Sequence, residues 1–206
     1  MTHTLLLASK SYSRKMLLEE ARIPFRVIEQ EADEAQCDWL LPLPELVQQI
    51  ALSKMQHALL PAGAQGQERC FVLTADTLSQ DMSDGAINGK PIDRADAIHK
   101  IKKARLGTIL YSAFCLNRYV WHDSAWHLEQ AHQETVRAEY RFHVPDNLID
   151  WYLDNSISMS ASNAIAVEGL GAQFLQSVTG SHSAMIGLPL FEVRRALGVC
   201  GFFDAT

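Results

Sequence analysis

The sequence predicts an α/β fold, an elongated mixed β-sheet flanked by helices and gathered into two lobes. In the first half, short apolar runs lead into polar loops and then into apolar residues at helical spacing, a strand-loop-helix rhythm that repeats. In the second half, Val136, Ala138, Tyr140, Phe142 and Val144 alternate strictly with Arg137, Glu139, Arg141 and His143, the period of a sheet with one exposed face. A chain of 206 residues with 48% hydrophobic content is long enough to bury a core of this kind.

Leu5 to Ala8 reads as a short buried strand. Ser9-Lys10-Ser11 then supplies cap-type residues before a helical run through Met16, Leu17, Leu18 and Ala21. Pro24 breaks that run, Phe25 to Ile28 forms a second strand, and the chain empties into the acidic loop Glu29 to Glu34. From Pro44, the residues Leu46, Val47, Ile50, Ala51, Met55, Ala58 and Leu59 define one apolar helix face. Lys54 falls inside that stripe, so its ammonium points toward protein or a cleft, or else snorkels out along its stem.

Pro61 to Gln67 reads as a loop, and Cys70 to Ala75 as a buried strand that ends at Asp76-Thr77. A polar loop runs on to Gly89-Lys90-Pro91, followed by a helix over Arg94 to Ala104. Ile109 to Leu116 is the next strand. Helices are expected at Pro145 to Leu153 and Leu190 to Leu197, with a short strand at Phe174 to Val178 between them.

Composition narrows the function classes. A formal charge of -6 argues against duplex nucleic acid or an anionic membrane surface as partner, while a few local cations can still hold a small anionic ligand. Cys37, Cys70, Cys115 and Cys200 are scattered and form no CxxC pair, which reads as reduced thiols and a cytoplasmic location. The first residues lack a basic n-region, and no apolar run reaches bilayer-crossing length, so neither export nor membrane anchoring is expected.

Asp76 follows an apolar strand, where α/β proteins place ligand contacts; an Asp there also serves as a turn or helix cap. Its company matters. Ser9, Ser11 and Arg14 sit at a loop-to-helix junction, where free N–H groups, hydroxyls and a guanidinium fork can cradle phosphate. Lys54 and Lys90 add point charges for a polyphosphate. Glu34 and Asp76 add carboxylates, which phosphoryl chemistry uses to hold a divalent ion or to position water.

These segments, in this order, resemble the Maf (septum formation) family of nucleoside triphosphate pyrophosphatases. Leu7-Ala8-Ser9-Lys10-Ser11-Tyr12-Ser13-Arg14 through Leu18 is similar to the family's LASxSPRRxxLL opening, and Ile23-Pro24-Phe25 with Asp33-Glu34 to its next segment. Ile50-Ala51-Leu52-Ser53-Lys54 resembles LAxxKA, Thr74-Ala75-Asp76-Thr77 resembles GADT, and Gly89-Lys90-Pro91 matches GKP. Val167-Glu168-Gly169 and the stretch Thr179-Gly180-Ser181 to Gly187-Leu188-Pro189-Leu190 resemble the late elements.

The resemblance implies a single domain over residues 1–206 with the Maf/ITPase-like arrangement, an active-site cleft between two lobes. It implies hydrolysis of nucleoside triphosphates between the α- and β-phosphates, giving a nucleoside monophosphate and pyrophosphate. Asp76 would be the general base, with Glu34 assisting at a metal or water, and both would be metal ligands for magnesium or manganese. Ser9, Ser11, Arg14, Lys54 and Lys90 would bind phosphate. A homodimer is implied, with no nucleic-acid polymer and no membrane as partner.

Three positions bear on the base. The family's pyrimidine branch carries Arg at the position of Ser13 and Gln at that of Glu168; the branch directed at 7-methyl-GTP carries Trp and Glu. Thr77 resembles the pyrimidine branch and Glu168 the other, and a carboxylate suits a guanine-like edge that presents donors. Leu106-Gly107 replaces the family's usual SG turn, and one cation of the opening motif is missing at Ser13. These departures leave room for a nucleotide-binding regulator of septum formation with little catalysis. His122, His127 and His132 recur at five-residue spacing, wrong for one helix face and alternating in a single strand, so no metal site is expected there. His182 reads as a loop histidine. Lys100, Lys102, Lys103 and Arg105 read as a solvated helix face.

Overall fold

The computed structural model describes residues 3–63 and 69–204. Of the predicted loop from Pro61 to Gln67, residues 61–63 carry no regular structure and residues 64–67 lie outside the described residues. The protein is α/β, with a mixed sheet in the strand order β2-β1-β3-β5-β6-β7 and β4 paired to β3. These strands are β1 (Leu5–Leu7), β2 (Phe25–Val27), β3 (Arg69–Asp81), β4 (Ile87–Asn88), β5 (Thr108–His122), β6 (Ala125–Phe142) and β7 (Leu175–Gly180). The chain divides into two compact units, one of residues 1–76, 112–136 and 187–206, the other of residues 77–111 and 137–186.

In the first unit, β1 pairs in parallel with β2 and with β3, with Leu5 opposite both Phe25 and Phe71. A strand flanked in parallel on both sides is buried on both faces, which is why Leu5, Leu6 and Leu7 form an unbroken apolar run. Helix α1 (Tyr12–Glu20) starts where Ser11 accepts a hydrogen bond from the Arg14 N–H. Helix α2 (Leu43–Gln56) buries Leu46, Val47, Ile50, Ala51, Lys54 and Met55 on its apolar stripe. It stops before Ala58 and Leu59, which the sequence pattern had placed on the same face. There the backbone turns to pair instead with the acidic loop: Ala58 bridges Gln30, and Leu59 N–H donates to the Glu29 carbonyl at 2.9 Å.

The strand predicted to end at Ala75 continues to Asp81, so Asp76 lies inside β3. Polar residues carry the extension because their partners are polar too. Within the second unit β3 pairs with β4, Ser79 opposite Asn88, and the buried Asp81 accepts from Asn88 Nδ2 at 3.2 Å and pairs with Lys103 Nζ at 2.7 Å. Lys103 sits on helix α3 (Arg94–Ala104), whose bounds the sequence predicted. β5 runs well beyond its predicted end at Leu116 and β6 starts well before Val136, the two meeting at Asp123 and Ser124, which have φ of 51° and 60°. Two successive left-handed residues make the turn whose twist suits a tight hairpin.

The rest of the second unit packs helix α4 (Ile149–Asn155), preceded by a 3-10 turn at Asp146–Leu148, around an aromatic cluster. Tyr152 lies 5.5 Å from Phe142 and 5.7 Å from Phe174, edge-on to the latter. Helix α5 (His182–Ile186) takes up His182, which had been expected in a loop. Helix α6 (Leu190–Val199) returns to the first unit and buries Val193, Ala196 and Leu197.

Candidate active site

In the first unit, two periodicities bring Asp76 and Lys54 together. Thr74 and Asp76 share one face of β3, and Ala51 and Lys54 are one helical turn apart on α2. Thr74 Oγ1 donates to the Ala51 carbonyl at 2.8 Å, which pins strand to helix. Two residues along the strand, Lys54 Nζ donates to Asp76 Oδ1 at 2.6 Å. Both side chains are nearly buried, at 9% and 11% exposure, so Lys54 does not snorkel to the surface.

Glu34 reaches the same ammonium from the acidic loop, with Oε1 2.8 Å from Lys54 Nζ. A 3-10 turn at Glu34–Gln36 sets its position. Asp33 caps that turn by accepting from Ala35 N–H at 3.1 Å, and Trp39 Nε1 donates to the Glu34 carbonyl at 3.2 Å. Asp38 N–H ties the loop to α2 through Gln49 Oε1 at 2.8 Å. Cys37, at the end of the turn, is buried, and burial followed by the charges of Glu34 and Asp76 pushes its thiol pKa up. It is a neutral thiol beside the acids.

Arg14 is the second buried cation. Its Nε donates to the Gly187 carbonyl at 2.9 Å and its Nη1 to Ser9 Oγ at 3.1 Å. Burial pulls its pKa below the ordinary arginine value, against the opposing pull of Asp76 and Glu34, and the guanidinium stays charged. Ser9 Oγ also accepts from Ser11 N–H at 3.3 Å, so this hydroxyl orients the loop and the arginine. Ser13 is half-buried in the first turn of α1. The Gly187 carbonyl is a contact that side-chain reading missed, since a backbone acceptor leaves no residue-type signal. The φ of 136° at Gly187 is the visible trace of its special backbone.

The remaining expected residues belong to the second unit. Thr77 is half-buried and, one residue on from Asp76 in β3, points to the opposite face. Lys90 is exposed in the loop after β4. That loop is held from the segment before Ile165: Asn163 N–H donates to the Gly89 carbonyl at 3.0 Å, and Ser162 Oγ to the Asn88 carbonyl at 3.0 Å. Asn163 is buried with φ 58°, a left-handed conformation that Asn tolerates better than most side chains. Nothing in the sequence reading pointed to it. Glu168 is half-buried and heads the 3-10 turn Gly169–Phe174. Two residues earlier, Ala166 is fixed by Tyr152, whose hydroxyl accepts from Ala166 N–H at 2.8 Å.

The donor set suits a hard divalent ion. Asp76 and Glu34 both touch one ammonium, so their carboxylates converge, and magnesium is held by one or two carboxylates with substrate phosphates and water completing the shell. No group of three His, Cys, Asp or Glu side chains able to hold a metal occurs among the described residues. His122 and His127 stack at 3.6 Å, because the hairpin turn between them brings together residues that a single strand would separate. The four basic residues of the α3 region engage in ion pairs, Lys100 with Asp96, Lys102 and Arg105 with Asp146, and Lys103 with Asp81 and Asp84. All four cysteines are free and buried. No helix among the described residues is long and apolar enough to cross a membrane.

Comparison with known proteins places the chain in a family. Residues 4–200 match the family described as Maf-like protein. The chain is 32% identical to a dTTP/UTP pyrophosphatase of Halalkalibacterium halodurans and 33% identical to one of Geobacter sp. strain M21, each alignment covering 96% of both chains. It is 30% identical to a nucleoside triphosphate pyrophosphatase of Synechococcus sp., over 96% of this chain and 94% of that one. With the match extending over nearly its whole length, the chain belongs to the Maf family.

Proposed function

We propose that this protein is a nucleoside triphosphate pyrophosphatase, a hydrolase of nucleotide metabolism that cleaves between the α- and β-phosphates. The observation that carries the reading is the Glu34–Lys54–Asp76 cluster, two converging carboxylates and a buried cation beside the buried Arg14. The names of the Maf-family relatives support the same reaction class.

Asp76 orients the attacking water and takes its proton, which requires a carboxylate held in place and largely desolvated. Arg14 and Lys54 meet the charge of the triphosphate, which is greatest on the departing pyrophosphate. Arg14 arrives pre-aimed, since its Nε and Nη1 are spent on Gly187 and Ser9 and its remaining N–H groups are directed by that anchoring. Lys90, exposed in the second unit, is a further cation for phosphate. Glu34 and Asp76 would hold magnesium or manganese, an ion that supplies Lewis-acid charge and lowers the pKa of water. The chain acts as one such domain, cytoplasmic and homodimeric.

Among bases, the carboxylate of Glu168 favours an edge that presents N–H donors, which makes 7-methyl-GTP a substrate to test beside dTTP and UTP. The test is release of pyrophosphate across a panel of canonical and methylated triphosphates with magnesium or manganese. Tight binding without release for every member would instead support a nucleotide-binding regulator.

A further inference from the structure

Lys54 touches the same two carboxylates that would hold the divalent ion. Its Nζ is 2.6 Å from Asp76 Oδ1 and 2.8 Å from Glu34 Oε1, a bridging position between two acidic groups. A magnesium ion sits about 2.0–2.1 Å from its carboxylate oxygens. An ammonium already lodged against one oxygen of each acid therefore competes with the ion for the pair, and repels it most at the buried Asp76 end, since Glu34 is 47% exposed and its end of the pair is screened by water.

The charge balance points the same way. Arg14 and Lys54 offset Glu34 and Asp76, and Arg14, Lys54 and Asp76 are all buried. A bare divalent ion would add positive charge beside two cations, offset weakly by the exposed Asp33 that caps the Glu34 turn. A triphosphate compensates that charge and also gives an ammonium somewhere else to go. Lysine suits this exchange better than arginine: its charge is compact, on a flexible four-carbon stem, whereas the Arg14 fork is locked by two hydrogen bonds.

We propose that Lys54 is a resident stand-in for the divalent ion: it holds the Glu34–Asp76 pair in the nucleotide-free protein and yields it when triphosphate and ion bind together, its ammonium turning to the phosphate charge. The inference rests on the pyrophosphatase reading and adds an order to it. The protein alone takes up the ion weakly, and the carboxylates remain neutralised and positioned until substrate is present.

The test is titration of nucleotide-free protein with Mn²⁺ alone, followed by the electron paramagnetic resonance of free Mn²⁺. Lys54→Met and Lys54→Gln remove the charge, and Lys54→Arg retains it. Both neutral variants are expected to bind Mn²⁺ at least about tenfold more tightly than wild type, with Lys54→Arg staying weak. Mn²⁺ should also raise the Tm of the neutral variants more than that of wild type. Equal or weaker Mn²⁺ binding by whichever neutral variants fold overturns the stand-in role. Pyrophosphate release by wild type is measured separately. Turnover together with unchanged variant affinity overturns the stand-in role alone. No turnover with any triphosphate, together with tightened Mn²⁺ binding in the variants, overturns the pyrophosphatase reading and leaves the exchange of cations standing.

Discussion

Lys54 on α2 and Asp76 within β3 form a buried ion pair of 2.6 Å, two residues along the strand from the hydrogen bond of Thr74 to the Ala51 carbonyl. Strand and helix are thus locked beside the pair, and Asp76 has little freedom to point elsewhere. Asp76→Asn keeps the shape of the side chain and removes the base. Turnover is expected to fall by about 10²–10⁴-fold while nucleotide affinity stays within a few-fold, measured by pyrophosphate release and by nucleotide titration. A variant with near-normal turnover would show that Asp76 is not the base.

Arg14→Lys tests whether geometry or charge matters at the second cation. Lysine cannot donate to the Gly187 carbonyl and Ser9 Oγ while also facing a phosphate, as the guanidinium fork can. The loss of a charge-assisted contact is worth about 1.5–3 kcal/mol, which corresponds to a rise in KM of roughly ten- to a hundredfold. Steady-state kinetics with an unchanged KM would argue that Arg14 only ties α1 to the loop before α6.

Gly187→Ala probes the backbone that aims Arg14. An added Cβ would meet only Arg14 Cγ, at an ordinary 4.0 Å, so the cost comes from the φ of 136° rather than from crowding. A loss of about 1–3 kcal/mol is expected in denaturant unfolding, together with a raised KM because the carbonyl that orients Arg14 shifts. Loss of stability with kinetics unchanged would separate the loop from the site.

Alkaline pH should destabilise the fold through its thiols. Burial pushes Cys70 and Cys115 up to about 11, above the ordinary thiol value. Between the unfolded and folded values the unfolded chain holds fewer protons, so unfolding becomes easier as pH rises. Each thiol then removes about 1.4 kcal/mol per pH unit from roughly pH 9 upward. Below that range the contribution is fully present. Unfolding midpoints from pH 8 to 10 measure the slope, and Cys70→Ala and Cys115→Ala should flatten it.

Much of this arrangement could be read from residue patterns, and the exceptions share physical causes. Lys54 stood out because a charge inside an apolar helical stripe either faces protein or snorkels out along its stem, and the ion pairs with Asp76 and Glu34, which the stripe does not show, are what keep it buried. Asp76 looked like a strand end because polar residues follow it. Those residues stay in the strand since β4, Asn88 and Lys103 satisfy them, partners that only the folded chain brings near. The long β5–β6 hairpin left little signal: many of its residues beyond Leu116 are half-exposed, and its turn is Asp-Ser rather than Asn-Gly. The stacked pair His122 and His127 was missed for the same reason, because spacing along one strand says nothing of neighbours across a turn. The supports of Arg14 and of the loop bearing Lys90 are largely backbone groups, at Gly187 and at Gly89, whose bonding depends on conformation rather than on residue type.

Pyrophosphate release tests the central claim most directly. Purified protein with magnesium or manganese is given dTTP, UTP, the other canonical triphosphates and 7-methyl-GTP, and the products are resolved. Nucleoside monophosphate and pyrophosphate in equal amounts from at least one member, lost in Asp76→Asn, is the expected result. Orthophosphate with nucleoside diphosphate, or bound nucleotide recovered intact from every member, would contradict it.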